Sequence, residues 1–177
     1  MCKPKGLDLQ KVVFCTAVPQ FNEGKRDRHN TFNTALTAHG VTILKGHHVF
    51  DETAQKHSEK QSDINVALSL ILDGIDDIYD WAFLVSADSD QAATARVFSE
   101  RLPNKKLVGV APPNRRVPDK ASPYFAASFV LSRDQIEEAI MPAFVPTKSG
   151  ALLRRPNDYA PPAGWMHPDD RPKKKRA

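Results

Sequence analysis

Cysteine is almost absent from this sequence of 177 residues: Cys2 and Cys15 are the two present. Two thiols so placed cannot build a disulfide framework, and neither lies in a CxxC pair, so a zinc site of the common type is not expected. Cys15 sits in the apolar run VVFCTA and reads as a small buried hydrophobe. Long apolar runs are also missing. None reaches the roughly 18 residues of a membrane-spanning helix. The longest, such as Trp81–Val85, are the size of a core strand. The opening MCKPKGLDLQ lacks an apolar signal-peptide core, so a cytosolic (cytoplasmic) protein is expected. Glycine-rich phosphate loops do not occur, neither GxGxxG nor GxxxxGK followed by Ser or Thr, and there is no GxSxG elbow. P-loop and Ser–His–acid chemistries are therefore not expected. The histidines form no constellation: His47 and His48 would point to opposite faces of a strand, and the others are scattered.

What is present is ordinary globular composition, 41% hydrophobic and 26% charged. This excludes collagen-like, coiled-coil and wholly disordered chains. The length suits one domain, with or without a tail. The net charge is +4, and residues 165–177 supply most of it through Arg171, Lys173, Lys174, Lys175 and Arg176 against two Asp. That run reads either as a solvated end or as a short aid to RNA binding by counterion release. Prolines 142, 146, 156, 161, 162, 168 and 172 crowd the last part of the chain. The division expected is a domain over 1–140 and a Pro-rich, poorly packed extension with a basic tail over 141–177.

Within the first part, strands and helices alternate. Strands are expected at Lys11–Ala17, Val41–Leu44, Ala82–Ser86, Lys106–Ala111 and Ala127–Leu131. Helices are expected at Arg28–His39, Asp63–Ile75 with Ser62 as N-cap, Ala92–Leu102 and Asp134–Ile140. In the second of these Ile64, Ala67, Leu68, Ile71, Leu72 and Ile75 recur at i, i+3, i+4, i+7, the pattern of a buried face. Several strands are apolar on successive residues, as in a parallel sheet covered on both faces. In such sheets ligands bind beyond the carboxyl ends of the strands.

Ser86-Ala87-Asp88-Ser89-Asp90 lies at such an end. Asp88 and Asp90, two apart in extended backbone, would project together and suit a divalent cation. The same residues also fit the start of a helix. Asp63 adds a second acid, although an acid in a first helical turn is expected from the helix dipole alone. Asp73, Asp76, Asp77 and Asp80 look like a solvated turn with no chemistry.

The run EKQSDINVALSLILDGIDDIYDWAFLVSADSD resembles the NYN domain family, a branch of the PIN-like nucleases. Glu59, Lys60, Asp63, Asn65 and Ala67 match its helix motif, and Leu84, Val85, Ser86, Asp88, Ser89 and Asp90 match its strand end. FCTAVP, KKLVGVAPPNRR and MPAFVPTKSGALLRRP match the flanks, so the resemblance spans roughly residues 10–160. It implies a three-layer α/β/α domain with a mostly parallel central sheet, RNA as partner, and Mg²⁺ or Mn²⁺ held by Asp63, Asp88 and Asp90. Lys60 and Ser86 would contact phosphate or position the acids. The family usually begins with a strand carrying a further Asp in a D-G-x-N-like segment. Nothing like it precedes GLDLQKVVFCTA. Two expectations follow: a metal-dependent ribonuclease, a hydrolase complete once that acid is supplied upstream, or a non-catalytic RNA- or protein-binding remnant. A phosphoryl-transfer domain using the same DxD would need a nucleophilic Asp at an early strand end, and none is visible. Oligomeric state is not legible.

Overall fold

The computed structural model of the chain describes residues 6–53 and 55–172. The architecture is mixed α/β, with helices set around small sheets, one of them all parallel. The run of Val, Phe and Thr in β1 (Val13–Ala17) extends and pairs in parallel with β2 (Thr42–Asp51), Val13 opposite Thr42 and Ala17 opposite Gly46. Between them runs α1 (Glu23–Ala38), opened by Asn22, whose side chain accepts from the Lys25 N–H. Gly40 stops it in the left-handed region, at φ +83°.

β2 outruns β1. Its outer half, His47–Asp51, pairs antiparallel with β3 (Lys56–Lys60). Nothing in the sequence KHSEK calls for a strand: pairing with β2, not propensity, extends it. α2 (Ser62–Ile75) follows, then β4 (Trp81–Val85), α3 (Gln91–Arg101), β5 (Lys106–Ala111) and β6 (Ala127–Val130). β4, β5 and β6 form the all-parallel sheet, in that order. The uninterrupted apolar run of β5 is explained by burial of every residue from Leu107 to Ala111. The core joins Ala82 and Leu84 of β4, Ala95 and Phe98 of α3, Leu102, Leu107 and Ala121. Gly109 passes beneath Phe125, where a Cβ would lie 2.6 Å from the ring. α4 (Arg133–Glu138) opens with a reciprocal capping box of Ser132 and Gln135.

Three expectations need correction. The strands do not form one sheet: β1-β2-β3 and β4-β5-β6 are separate, β3 is antiparallel, and β1 and β4 are edge strands. The stripe of α2 read as a buried face is only partly so: Ala67 and Ile71 are half-buried, and the other four are exposed. Ile64, Leu68, Leu72 and Ile75 are 59%, 53%, 53% and 60% exposed, while Val66, Leu70 and Ile71 meet the core instead. Periodicity reports that a helix has an apolar face, and α2 has more apolar surface than the described residues cover. Trp81, Phe83 and Val85, alternating along β4, are likewise exposed.

The third correction concerns the Pro-rich stretch. β7 (Phe144–Pro146) and β8 (Leu152–Arg154) form an antiparallel hairpin that lies against α1. Val145 is only 1% exposed. Beyond the hairpin Asp158 pairs with Arg28 at 3.0 Å, Tyr159 meets Phe32 edge-on, and Arg171 pairs with Asp134 and Glu137. Prolines bar long regular elements, but they do not bar packing of the apolar residues between them. The basic run at 173–176 lies outside the described residues. Among the described residues no helix is long and apolar enough to cross a membrane.

Tyr79 lines the same core. Its ring stacks on Phe98 and its hydroxyl donates to the Leu70 carbonyl. Burial, and then the charge of Asp73, push its pKa from 10.0 up to about 12. The neutral phenol is therefore favoured in the fold. Its contribution is whole below pH 10 and falls away as the pH rises from 10 towards about 12. Urea unfolding across that range should show a steeper alkaline loss for the native chain than for Tyr79→Phe. At neutral pH, Val145→Ala should cost about 1–3 kcal/mol in the same assay. A change under about 0.5 kcal/mol would mean that the hairpin is not part of the cooperative unit.

Candidate functional site

The end of β1 and the start of α2 are tied by one carboxylate. Glu59 Oε1 accepts from the Ala17 N–H at 3.1 Å and from the Ser62 hydroxyl. The path from β3 into α2 is tight. A Cβ on Gly46 would stand 2.3 Å from the Lys60 carbonyl oxygen and 2.8 Å from Ser62 Oγ. Gln61 turns the chain in the left-handed region, φ 72°, and is the N-cap, with no side-chain capping bond. Ser62, expected as the cap, is instead the first helical residue, because its hydroxyl is engaged by Glu59. Asp63 is thereby held, exposed, in the first turn of α2. Its charge reaches Cys15, whose thiol is pushed up first by burial and then by Asp63. Cys15 is partly buried and stays a thiol, in keeping with its place in an apolar strand.

The second acidic motif leaves the end of β4. The Ser86 N–H still bonds the Val110 carbonyl at 3.0 Å, as a last rung beside β5. Ser86 Oγ then accepts from the Asp88 N–H at 3.1 Å, and Asp88 Oδ1 accepts from the Asp90 N–H at 2.9 Å. These bonds fold the segment into a turn. Asp90 is helical (φ −69°, ψ −24°), so the extended alternation expected for Asp88 and Asp90 does not hold. Asp90 is the N-cap of α3 by backbone position, yet its side chain makes no capping bond.

Gln91 joins the two motifs. It is 4% exposed, and its Nε2 donates to Asp63 Oδ1 at 3.3 Å. Its Oε1 is buried with no partner among the described residues. The first turns of α2 and α3 are therefore neighbours, and Asp63 lies beside the loop that carries Asp88 and Asp90. Sequence reasoning missed Gln91, since an uncharged amide after two acids carries no signal until the fold buries it.

None of Asp63, Asp88 and Asp90 has an ion-pair partner among the described residues. Of the acids set aside as structural, Asp73 pairs with Lys11 at 2.7 Å and Asp77 with Lys105 at 2.5 Å, which holds the exposed Asp77 carboxyl below its ordinary range, while Asp76 and Asp80 have no ion-pair partner among the described residues. Lys60 is exposed at the end of β3, opposite His47. Among the described residues no three His, Cys, Asp or Glu side chains gather into a group able to hold a metal by themselves.

No family model matches the chain, and no curated protein matches it. Among solved structures, the chain is similar to a protein of unknown function from Vibrio parahaemolyticus RIMD 2210633. The identity is 18%, 67% of each chain is covered, and the TM-score is 0.49.

Because Gly46 leaves no room for a methyl group, Gly46→Ala should destabilise the chain by about 1–3 kcal/mol. It should also shift the Ser62 and Asp63 amide resonances. Unmoved resonances with full stability would show that the β3–α2 path tolerates a side chain at this position.

Proposed function

We propose that the chain is a PIN-like domain of the NYN type, with a three-layer α/β/α arrangement, that hydrolyses RNA phosphodiester bonds with Mg²⁺ or Mn²⁺. The observation that supports this reading is the Gln91–Asp63 hydrogen bond, which links the first turn of α2 to the residue that follows Asp90. The donor chemistry fits a hard cation: carboxylate oxygens at a common edge, without Lys or Arg to neutralise them. A group of three protein ligands is not required, because Mg²⁺ commonly takes one or two carboxylates and fills its remaining positions with water and substrate phosphate. Of Asp63, Asp88 and Asp90, one or two would hold the ion directly and the remainder through its bound water. When bound, it supplies charge neutralisation at the scissile phosphate and a more acidic water.

The chain's own residues do the rest. Ser86 fixes the backbone at Asp88, and Gln91 orients Asp63. The first turns of α2 and α3 present backbone N–H groups and positive dipole ends to a phosphate at this edge. Lys60 adds a mobile positive charge nearby. A second reading, a binding module without catalysis, draws on the exposed apolar side chains of α2 and β4.

Thermal melts and labelled RNA separate the two. Mn²⁺ at one hundred times its Kd should stabilise the chain by about 2.7 kcal/mol. Asp88→Asn should remove most of that gain, and RNA cleavage should require Mn²⁺ or Mg²⁺ and vanish with EDTA. A metal shift that Asp88→Asn leaves intact, or cleavage indifferent to EDTA, would contradict the nuclease reading. RNA or protein binding with no cleavage would put the binding module in its place.

A further inference from the structure

A second feature adjoins the end of β1 that Glu59 ties to α2. Val18, just past β1, and Lys45, Gly46, His47 and His48 of β2 line a cavity of about 160 Å³, together with Gln20 and Asn30. No acid lines it. Lys45 has no ion-pair partner among the described residues. The cavity is thus a recess that offers the Lys45 cation, the His48 ring and two carboxamides, with His47 held by Gln61 at 3.1 Å, and it suits a phosphate group.

An aromatic step adjoins it. Phe21 follows Gln20 and stacks face to face on His57 of β3, centroids 3.7 Å apart and planes 7° apart. Phe50 stands 5.0 Å from the same imidazole. Phe21 and Phe50 are nonetheless 49% and 47% exposed. His48 belongs to both features: it lines the cavity and meets Phe21 edge-on at 5.4 Å, while its Nε2 donates to the Ala17 carbonyl at 3.3 Å. That bond anchors the ring to the end of β1, the strand end that Glu59 ties to the start of α2. A recess for an anion with a half-open aromatic ring beside it is the arrangement that takes one nucleotide, with phosphate in the recess and base on the ring.

We propose that this recess and the Phe21–His57 step form a subsite for single-stranded RNA, one nucleotide deep, that holds the strand beside the acids. The inference rests on the RNA reading above and adds where the strand is gripped. It makes stacking on Phe21, not base-edge hydrogen bonding, the main source of affinity, so sequence preference at this position is weak.

The test is fluorescence anisotropy of the full chain with a labelled single-stranded RNA in EDTA, which reads binding without cleavage. A base-free polyphosphate serves as the second probe. Phe21→Ala should weaken RNA binding by roughly 5- to 100-fold while leaving polyphosphate binding unchanged. Phe21→Trp should bind RNA at least as tightly as the native chain. Lys45→Gln should flatten the plot of log K against log salt by about 0.7, the loss of one phosphate contact to a single strand. Asp88→Asn should not weaken binding. Should Phe21→Ala lose its cooperative melt, Phe21→Leu, which keeps an apolar contact but no ring, takes its place with the same expectation. RNA bound equally well by the native chain and by the Phe21 and Lys45 variants would overturn the subsite and leave the RNA reading standing. No RNA binding by the native chain would overturn both and assign the aromatic step to a protein partner.

Discussion

The carboxylate of Glu59 is the point on which the site depends. It accepts from the end of β1 and from the first residue of α2. A backbone N–H left unpaired at that strand end would cost about 1–3 kcal/mol if buried. The tie also decides where α2 begins, and so where Asp63 points. Gly46 permits it by leaving room for the Lys60 carbonyl, and Gln61 permits it by accepting a left-handed backbone. With α2 started there, Gln91 can reach Asp63, and the first turns of α2 and α3 are joined.

Ion pairs among the described residues lie away from this edge. Several acids elsewhere are matched: Glu100 with Arg96, Glu137 with Arg133 and Arg171, Asp73 with Lys11. These exposed pairs contribute little individually, a median near 0–1 kcal/mol, but they show that the fold readily places a cation beside a carboxylate. At Asp63, Asp88 and Asp90 it does not. Unmatched acids beside two helix N-termini form an arrangement in which local charge is left for something other than a side chain to balance.

Much of the fold was legible. The apolar run of β5 and the alternation of helices and strands reflect burial that any folded state of this sequence must satisfy, so the parallel pairing of β4, β5 and β6 was readable from pattern. The 3.6-residue period of α2 identified a helix but not its orientation. The exposed face of Ile64, Leu68, Leu72 and Ile75 shows that amphipathicity names a surface, not its partner. β3 was invisible because its extension comes from β2 rather than from its own residues. Val145 was hidden by flanking prolines. Of the proposed site, Asp88 and Asp90 could be singled out from their place at a strand end, and Asp63 only by the resemblance, since an acid in a first helical turn is common. Gln91 and the Phe21–His57 step could not, because both arise from contacts between segments far apart in sequence.

The central claim is that one cation is shared by the first turn of α2 and the loop after β4. Paramagnetic broadening by Mn²⁺ in the amide spectrum of the isotope-labelled chain tests it directly. The account predicts that substoichiometric Mn²⁺ broadens Ser62, Asp63 and Ile64 together with Ala87 to Gln91, and leaves the amides around Asp134, Asp158 and Asp169 sharp. Broadening confined to one of the two segments, or centred on the C-terminal acids, would contradict it.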